Sequence, residues 1–187
     1  SYSDSEYSRT IGYEPKAKDE GSVFLYWYTV DDKGGETPVF VIPDGTYGEL
    51  TLLPKVISRT ITRTDQLTAL AVRYQHKSLI TISGNYDDFT LENDITLPDG
   101  WIGIGTQKAK FAGTFEGNGH TITLKGSSAP LFNYVNGKAI VTALNIELDD
   151  VTMQPIHVVA SSDERDVKYT GYHWGAVAGL NYGTISA

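Results

Sequence analysis

The segment Tyr169–Trp174 gathers the side chains best suited to holding a ligand. Its sequence, Tyr169-Thr-Gly-Tyr-His-Trp174, places three aromatic rings and one imidazole within six residues. Aromatic rings stack on the flat faces of sugars, while neighbouring polar groups bind the hydroxyls. We therefore predict a ligand-binding site at Tyr169, Tyr172, His173 and Trp174, with a glycan as the candidate ligand. Packing of the same rings at the edge of an irregular strand is the simpler alternative.

Neighbouring carboxylates are the second group that could do chemistry. They occur at Asp31-Asp32, Asp87-Asp88, Asp149-Asp150 and Asp163-Glu164. Two carboxylates can hydrolyse a glycosidic bond or bind calcium, so a polysaccharide lyase or glycoside hydrolase is the alternative function. These pairs fall in predicted loops, and the D-x-D-x-D-G spacing of a calcium loop is absent from the sequence. Solvated turn residues explain them more simply.

Other catalytic and metal-binding patterns are missing from the sequence. The four histidines have neither the i, i+4 spacing nor the adjacent Glu of a zinc protease. There are no cysteines, which excludes disulfides, thiolate nucleophiles and Cys-ligated zinc. No G-x-S-x-G or phosphate-binding loop is present. We predict no catalytic residue, no metal ligand and no cofactor, and we leave calcium open because an acidic surface attracts it.

The charge balance restricts the partners. The net charge is −8 and the pI is about 4.9, so the surface repels phosphate backbones and anionic lipids. No apolar run reaches the roughly 20 residues that span a membrane. We therefore predict neither nucleic-acid binding nor membrane insertion. The remaining candidate partners are a glycan, which the acidic surface predicts to be neutral rather than anionic, and a host or surface protein.

The composition favours strands over helices. Nineteen Gly and 12 Tyr accompany a single Met, and residues of this kind suit strands joined by tight turns. Val23 to Val30 is the first strong predicted strand, and Pro38 to Ile42 is its return strand. From Leu79 onward, short alternating runs are separated by Gly, Asn and Asp. The connections are too short for helical crossovers, which leaves a sandwich, a barrel or a solenoid.

One segment has helical periodicity. Leu67, Leu70, Ala71 and Tyr74 lie at i, i+3, i+4 and i+7, and together they form one apolar stripe. Thr64 is the predicted N-cap. A helix this short needs a surface to pack against, so we predict that it covers an open apolar end of the β structure.

The phrase Phe111-Ala-Gly-Thr-Phe-Glu-Gly-Asn-Gly-His-Thr-Ile-Thr-Leu124 resembles one that recurs in bacterial surface proteins with GLUG-type repeats, of the kind found in Bacteroides. The similarity extends to Trp101–Thr106 and Leu91–Leu97 before the phrase. After it, similarity continues in Leu131–Phe132, in Ala139–Ile146 and, for the GLUG element itself, in Gly175–Ser186. Two features depart from the family pattern: Gly103 stands where the family has Pro, and residues 151–174 are longer and more charged.

The resemblance implies an all-β fold, a right-handed parallel β-helix with a short N-terminal capping helix and a small N-terminal β region. The predicted organisation is a flexible tether at 1–20, a small β region or cap at 21–60 and a GLUG-like β-helix domain at 61–187. The implied location is secreted or on the cell surface, including attachment through a lipid. We expect a binding or adhesion module, with a structural spacer in a larger surface protein as a further alternative.

Overall fold

The computed structural model of the protein describes residues 9–10, 20–76, 88–161, 168–173 and 175–186. The described chain is mainly β, as the composition indicates, and it contains one helix. The elements of the first half are β1 (Arg9–Thr10), β2 (Ser22–Val30), β3 (Glu36–Val39), β4 (Val41–Ile42), β5 (Leu53–Ser58), β6 (Thr60–Ile61) and α1 (Thr64–His76). Those of the second half are β7 (Phe89–Leu91), β8 (Ile95–Thr96), β9 (Thr114–Glu116), β10 (Thr121–Ser128), β11 (Phe132–Val135), β12 (Ile140–Thr142), β13 (Asn145–Met153), β14 (Ile156–Ser161), β15 (Lys168–His173), β16 (Ala178–Asn181) and β17 (Thr184–Ser186).

The first three-stranded sheet is antiparallel and has β2 at its centre. β2 is the strand that the aromatic and β-branched run from Val23 to Val30 predicts. β3 and β5 pair with it on either side, and the predicted return strand is divided between β3 and β4. The turn after β2 is closed by Asp31, whose Oδ1 accepts hydrogen bonds from the amides of Lys33 at 2.9 Å and Gly35 at 2.7 Å. Asp31 is thus a turn-forming residue.

The helix α1 lies where the apolar stripe predicts it. Leu67, Leu70, Ala71 and Tyr74 are fully buried, so the stripe faces the core. The predicted N-cap is wrong. Thr64 is the first residue of the helix, and its Oγ1 donates a hydrogen bond to the carbonyl of Thr96 at 3.0 Å.

Parallel pairing governs three sheets of the second half. Their strand orders are β17-β12-β9-β7-β6, β13-β10-β8 and β11-β16. Side chains in register on neighbouring strands form apolar columns. One column contains Phe89, Phe115 and Val141, which are all at most 2% exposed. A single apolar core takes residues from β2, β5, α1 and these parallel sheets.

The predicted right-handed parallel β-helix with its capping helix and N-terminal β region is wrong as a description of the architecture. The described residues form several small sheets of mixed direction. Three sheets are parallel, while the sheets β1-β4, β14-β15 and β3-β2-β5 are antiparallel. Strand lengths range from two to nine residues, and the β10–β13 register shifts between Lys125 and Gly126. Strands this unequal do not stack as a regular solenoid.

The phenol of Tyr26 in β2 should make the folded state less stable at alkaline pH. Burial raises the pKa of this phenol from 10.0 to about 12, and the nearby carboxylate of Glu36 adds to the shift. The unfolded chain therefore loses this proton first as pH rises. Stability is complete below about pH 10 and should fall as the pH rises toward about 12.

Urea unfolding at pH 9, 10 and 11 measures this loss. Tyr26→Phe should have a visibly shallower decline, because phenylalanine has no proton to lose. Equal slopes in the two proteins would contradict the assignment.

Candidate functional site

A polar groove of about 600 Å³ lies where β5 and β6 meet the start of α1. Its volume is within the range of small-ligand sites. β2, β5, β6 and α1 all contribute to its walls. The lining residues are Tyr28, Pro54, Lys55, Val56, Ile57, Ser58, Thr60, Thr62, Arg63, Asp65 and Gln66.

One part of the groove holds an aromatic ring and an ammonium group. The Lys55 Nζ lies 5.4 Å from the centroid of the Tyr28 ring, within the range of a cation–π contact. The same nitrogen forms a 2.6 Å ion pair with Glu36 Oε2. Lys55 therefore contacts both a carboxylate and the half-buried tyrosine ring beside it.

Another part of the groove carries an exposed bidentate ion pair. Arg63 Nε lies 2.8 Å from Asp65 Oδ1, and Arg63 Nη2 lies 3.1 Å from Asp65 Oδ2. The hydrogen bond from Arg63 holds the pKa of the Asp65 carboxyl below its usual value. Asp65 is consequently an ionised acceptor at neutral pH, and the guanidinium is oriented by its partner.

The floor between these parts is organised by Gln66, which is 4% exposed. Its Oε1 accepts hydrogen bonds from the amides of Thr62 at 2.9 Å and Arg63 at 3.0 Å. Its Nε2 donates to the carbonyl of Thr60 at 3.0 Å. Because Gln66 is the third residue of α1, it occupies the reciprocal position of a capping box. One side chain thus joins β6, the connecting turn and the helix.

The groove offers a ring face, hydroxyl groups, cationic donors and one carboxylate acceptor. This set suits a ligand with many hydroxyls. Glycoside hydrolysis needs two carboxyl groups flanking the reacting bond. Among the described lining residues, Asp65 is the only carboxylate, and its lowered pKa does not suit a general acid.

The predicted ligand residues lie elsewhere in the chain. β15 places Tyr169 opposite Ala160, Tyr172 opposite His157 and His173 opposite Ile156 in the hairpin with β14. Trp174 lies outside the described residues. No residue of this segment is among the described lining of the groove. The predicted aromatic site at Tyr169, Tyr172, His173 and Trp174 stays a prediction.

Several acidic side chains accept hydrogen bonds from backbone amides of a neighbouring strand that lies 26 or 27 residues later in the chain. Asp88 Oδ1 accepts from the amide of Thr114 at 2.7 Å. Asp94 Oδ1 accepts from the amide of Thr121 at 2.8 Å and lies 3.2 Å from His120 Nδ1. The bond from Thr121, and then that from His120, lower the pKa of the Asp94 carboxyl. These carboxylates hold neighbouring strands together.

No metal centre is formed by the described residues. Within the ranges that the structure describes, no group of three or more His, Asp or Glu could hold a metal ion. Of the sequence pairs, Asp149 and Asp150 are exposed on β13, and Asp87, Asp163 and Glu164 lie outside the described residues.

The sequence contains one signal for the groove, and it points to a different role. Thr62-Arg-Thr-Asp-Gln66 has the composition of a helix start, with Asp65 in the first turn. The pairing of Tyr28 with Lys55 depends on the β2–β5 register, in which Tyr26 lies opposite Lys55 after an irregularity in β2. Sequence spacing does not specify that irregularity.

Comparisons with known proteins supply no relative for this chain. The one helix of the described residues, α1, is too short and too polar to cross a bilayer. The resemblance to GLUG-type surface proteins stays a prediction. No protein-family model, no curated protein and no solved structure matches the sequence.

Proposed function

We propose that the protein is a binding module and that the groove between β5, β6 and α1 receives a neutral glycan. The observation that carries the proposal is the combination of a tyrosine ring with a bidentate guanidinium–carboxylate pair in one groove of about 600 Å³. An extracellular or cell-surface location is part of the proposal, and it rests on the resemblance to GLUG-type proteins.

The ring and the ion pair have different tasks in this proposal. Tyr28 provides an apolar surface next to the ammonium group of Lys55. Arg63 donates hydrogen bonds to the oxygens of sugar hydroxyls, and Asp65 accepts hydrogen bonds from their O–H groups. One ion pair thus serves both the acceptor and the donor of a hydroxyl group. Because the cations are already paired with Glu36 and Asp65, an anionic ligand gains little from them. A neutral glycan therefore fits better.

The groove favours binding over catalysis. A single ionised carboxylate orients hydroxyls but cannot serve as an acid and a nucleophile together. No second carboxylate of the described chain lines the groove. The function that this arrangement supports is recognition without bond cleavage, as in an adhesion module.

A glycan array of neutral and acidic oligosaccharides tests the proposal with four variants. Tyr28→Ala and Arg63→Gln should weaken binding about tenfold or more, as expected for truncated anchor residues. Tyr47→Ala is the matched control, because Tyr47 is 93% exposed and lies outside the groove lining. Trp174→Ala tests the sequence-predicted aromatic segment in parallel.

The outcomes separate the alternatives. Binding to neutral glycans that is lost in Tyr28→Ala and Arg63→Gln but kept in Tyr47→Ala and Trp174→Ala supports the groove. Loss in Trp174→Ala alone would move the site to the segment Tyr169–Trp174. Depletion of a bound polysaccharide would contradict the binding role and favour an enzyme. An array without any signal would contradict glycan recognition.

A further inference from the structure

The outer edge of β13 is open. β13 is a nine-residue strand at the margin of the sheet β13-β10-β8. Among the described residues, β10 is the only strand that pairs with it. A long strand with one unpaired side is a template for a further strand.

The free backbone groups of this edge can be assigned. The amide of Asn145 donates to the carbonyl of His120 at 3.0 Å, so Asn145 faces the β10 side. Backbone groups alternate between the two sides of a strand, and Ile146 and Leu148 therefore present theirs to the outer side. An incoming strand would pair with the amides and carbonyls of these two residues.

The side chains of the edge continue columns that are buried on the previous strands. Ile146 is in register with Ile122 and Ile95, which are 0% and 4% exposed. Leu148 is in register with Leu124, which is also fully buried, yet Leu148 itself is 52% exposed. The apolar columns thus end at the surface of β13. A further strand with apolar residues at these positions would extend them.

The positions of β13 that alternate with Ile146 and Leu148 carry negative charge. Glu147 and Asp149 are exposed, and Asp149 is in register with Lys125 on β10. The sequence of β13 adds Asp150. A lysine or arginine opposite Asp149 on the outer side would continue the alternation of charge that begins with Lys125. A second copy of β13 would instead place acidic side chains against acidic ones, which is unfavourable.

We propose that β13 is a docking edge for an extended segment of a partner protein in which basic and apolar residues alternate. The segment adds a strand to the sheet β13-β10-β8. Its backbone bonds to Ile146 and Leu148, its apolar side chains cover those two residues, and its cations lie opposite Glu147 and Asp149. The sign of the charges selects the partner, and the backbone pairing holds it.

Fluorescence anisotropy with labelled peptides of alternating lysine and valine tests the proposal on the full chain. Binding is expected for the Lys/Val peptide and not for the matched Glu/Val peptide. Leu148→Pro should weaken binding about tenfold or more, because proline removes an outward amide at an edge where the fold tolerates it. Leu148→Ala keeps that amide and is the control for the lost side chain. The double variant Glu147→Lys/Asp149→Lys should prefer the Glu/Val peptide.

A second measurement keeps the test independent of how Leu148→Pro folds. A Lys/Val peptide N-methylated on alternate residues cannot form the backbone ladder, and it should bind the unchanged protein about tenfold more weakly. Equal binding of the methylated and unmodified peptides would mean that charge attraction alone holds them and would overturn the proposal. No binding of the Lys/Val peptide would also overturn it, and the carboxylates of β13 would then only protect an edge from aggregation.

Discussion

Replacing Phe132 by alanine should lower the free energy of unfolding by about 3–5 kcal/mol. Phe132 is fully buried, and its ring contacts those of Phe111 and Phe115 at centroid distances of 4.7 and 5.5 Å. Its strand β11 also pairs with β16, so the cavity would open between two parts of the core that lie far apart in the sequence. A loss of this size is a large fraction of the stability of an ordinary domain.

Urea unfolding followed by fluorescence measures the effect. Tyr47→Ala is the matched control, because it also truncates an aromatic ring but at a position that is 93% exposed. That control should change stability by no more than about 0.5 kcal/mol. A loss below about 1 kcal/mol for Phe132→Ala would show that the three rings do not form a packed cluster.

Gly105→Ala is expected to destabilise the fold by about 2–5 kcal/mol. Gly105 has φ +97°, a conformation that costs a residue with a Cβ about 1–2 kcal/mol. An added Cβ would also lie 2.7 Å from the carbonyl oxygen of Tyr134, which is backbone and cannot rotate away. Either the strand β11 moves or the contact remains, and both are unfavourable.

Gly100→Ala separates these two contributions. Gly100 also has positive φ, at +76°, but a Cβ there has no neighbour within 4 Å. It should cost only the conformational part, about 1–2 kcal/mol. Thermal unfolding of both variants gives the difference. Equal melting temperatures for Gly105→Ala and Gly100→Ala would mean that the close approach to Tyr134 carries no energetic weight.

The local elements could be predicted because their signals are local. The run from Val23 to Val30 has the residue types of a strand, and the stripe of Leu67, Leu70, Ala71 and Tyr74 has the period of a helix. The sheet arrangement could not be predicted in the same way. Alternation such as that of Ile122 and Leu124 indicates a face but does not specify parallel or antiparallel partners. The antiparallel hairpin β14-β15 falls in the stretch 151–174, where the family pattern is already interrupted.

Individual residues also show how far the sequence alone can predict the structure. Gly103 stands where the GLUG-type pattern has proline, and its φ of +77° is closed to proline, whose ring fixes φ near −65°. The departure is therefore required by this backbone. The sequence does not indicate the groove, because Tyr28 and Lys55 meet only through pairing across β2 and β5. The aromatic density of Tyr169–Trp174, by contrast, is visible in the sequence itself.

The placement of α1 makes the two margins of the sheet β13-β10-β8 differ. β6 leads directly into α1, whose Thr64 hydroxyl bonds to the carbonyl of Thr96 at the end of β8. At that margin the first residue of the helix already uses a backbone acceptor of β8, while β13 is open at the opposite margin of its sheet. Fibre growth needs a donor side and an acceptor side that match in every subunit. The two margins of this sheet do not match, and we therefore expect the exposed strand β13 not to seed filaments of this chain.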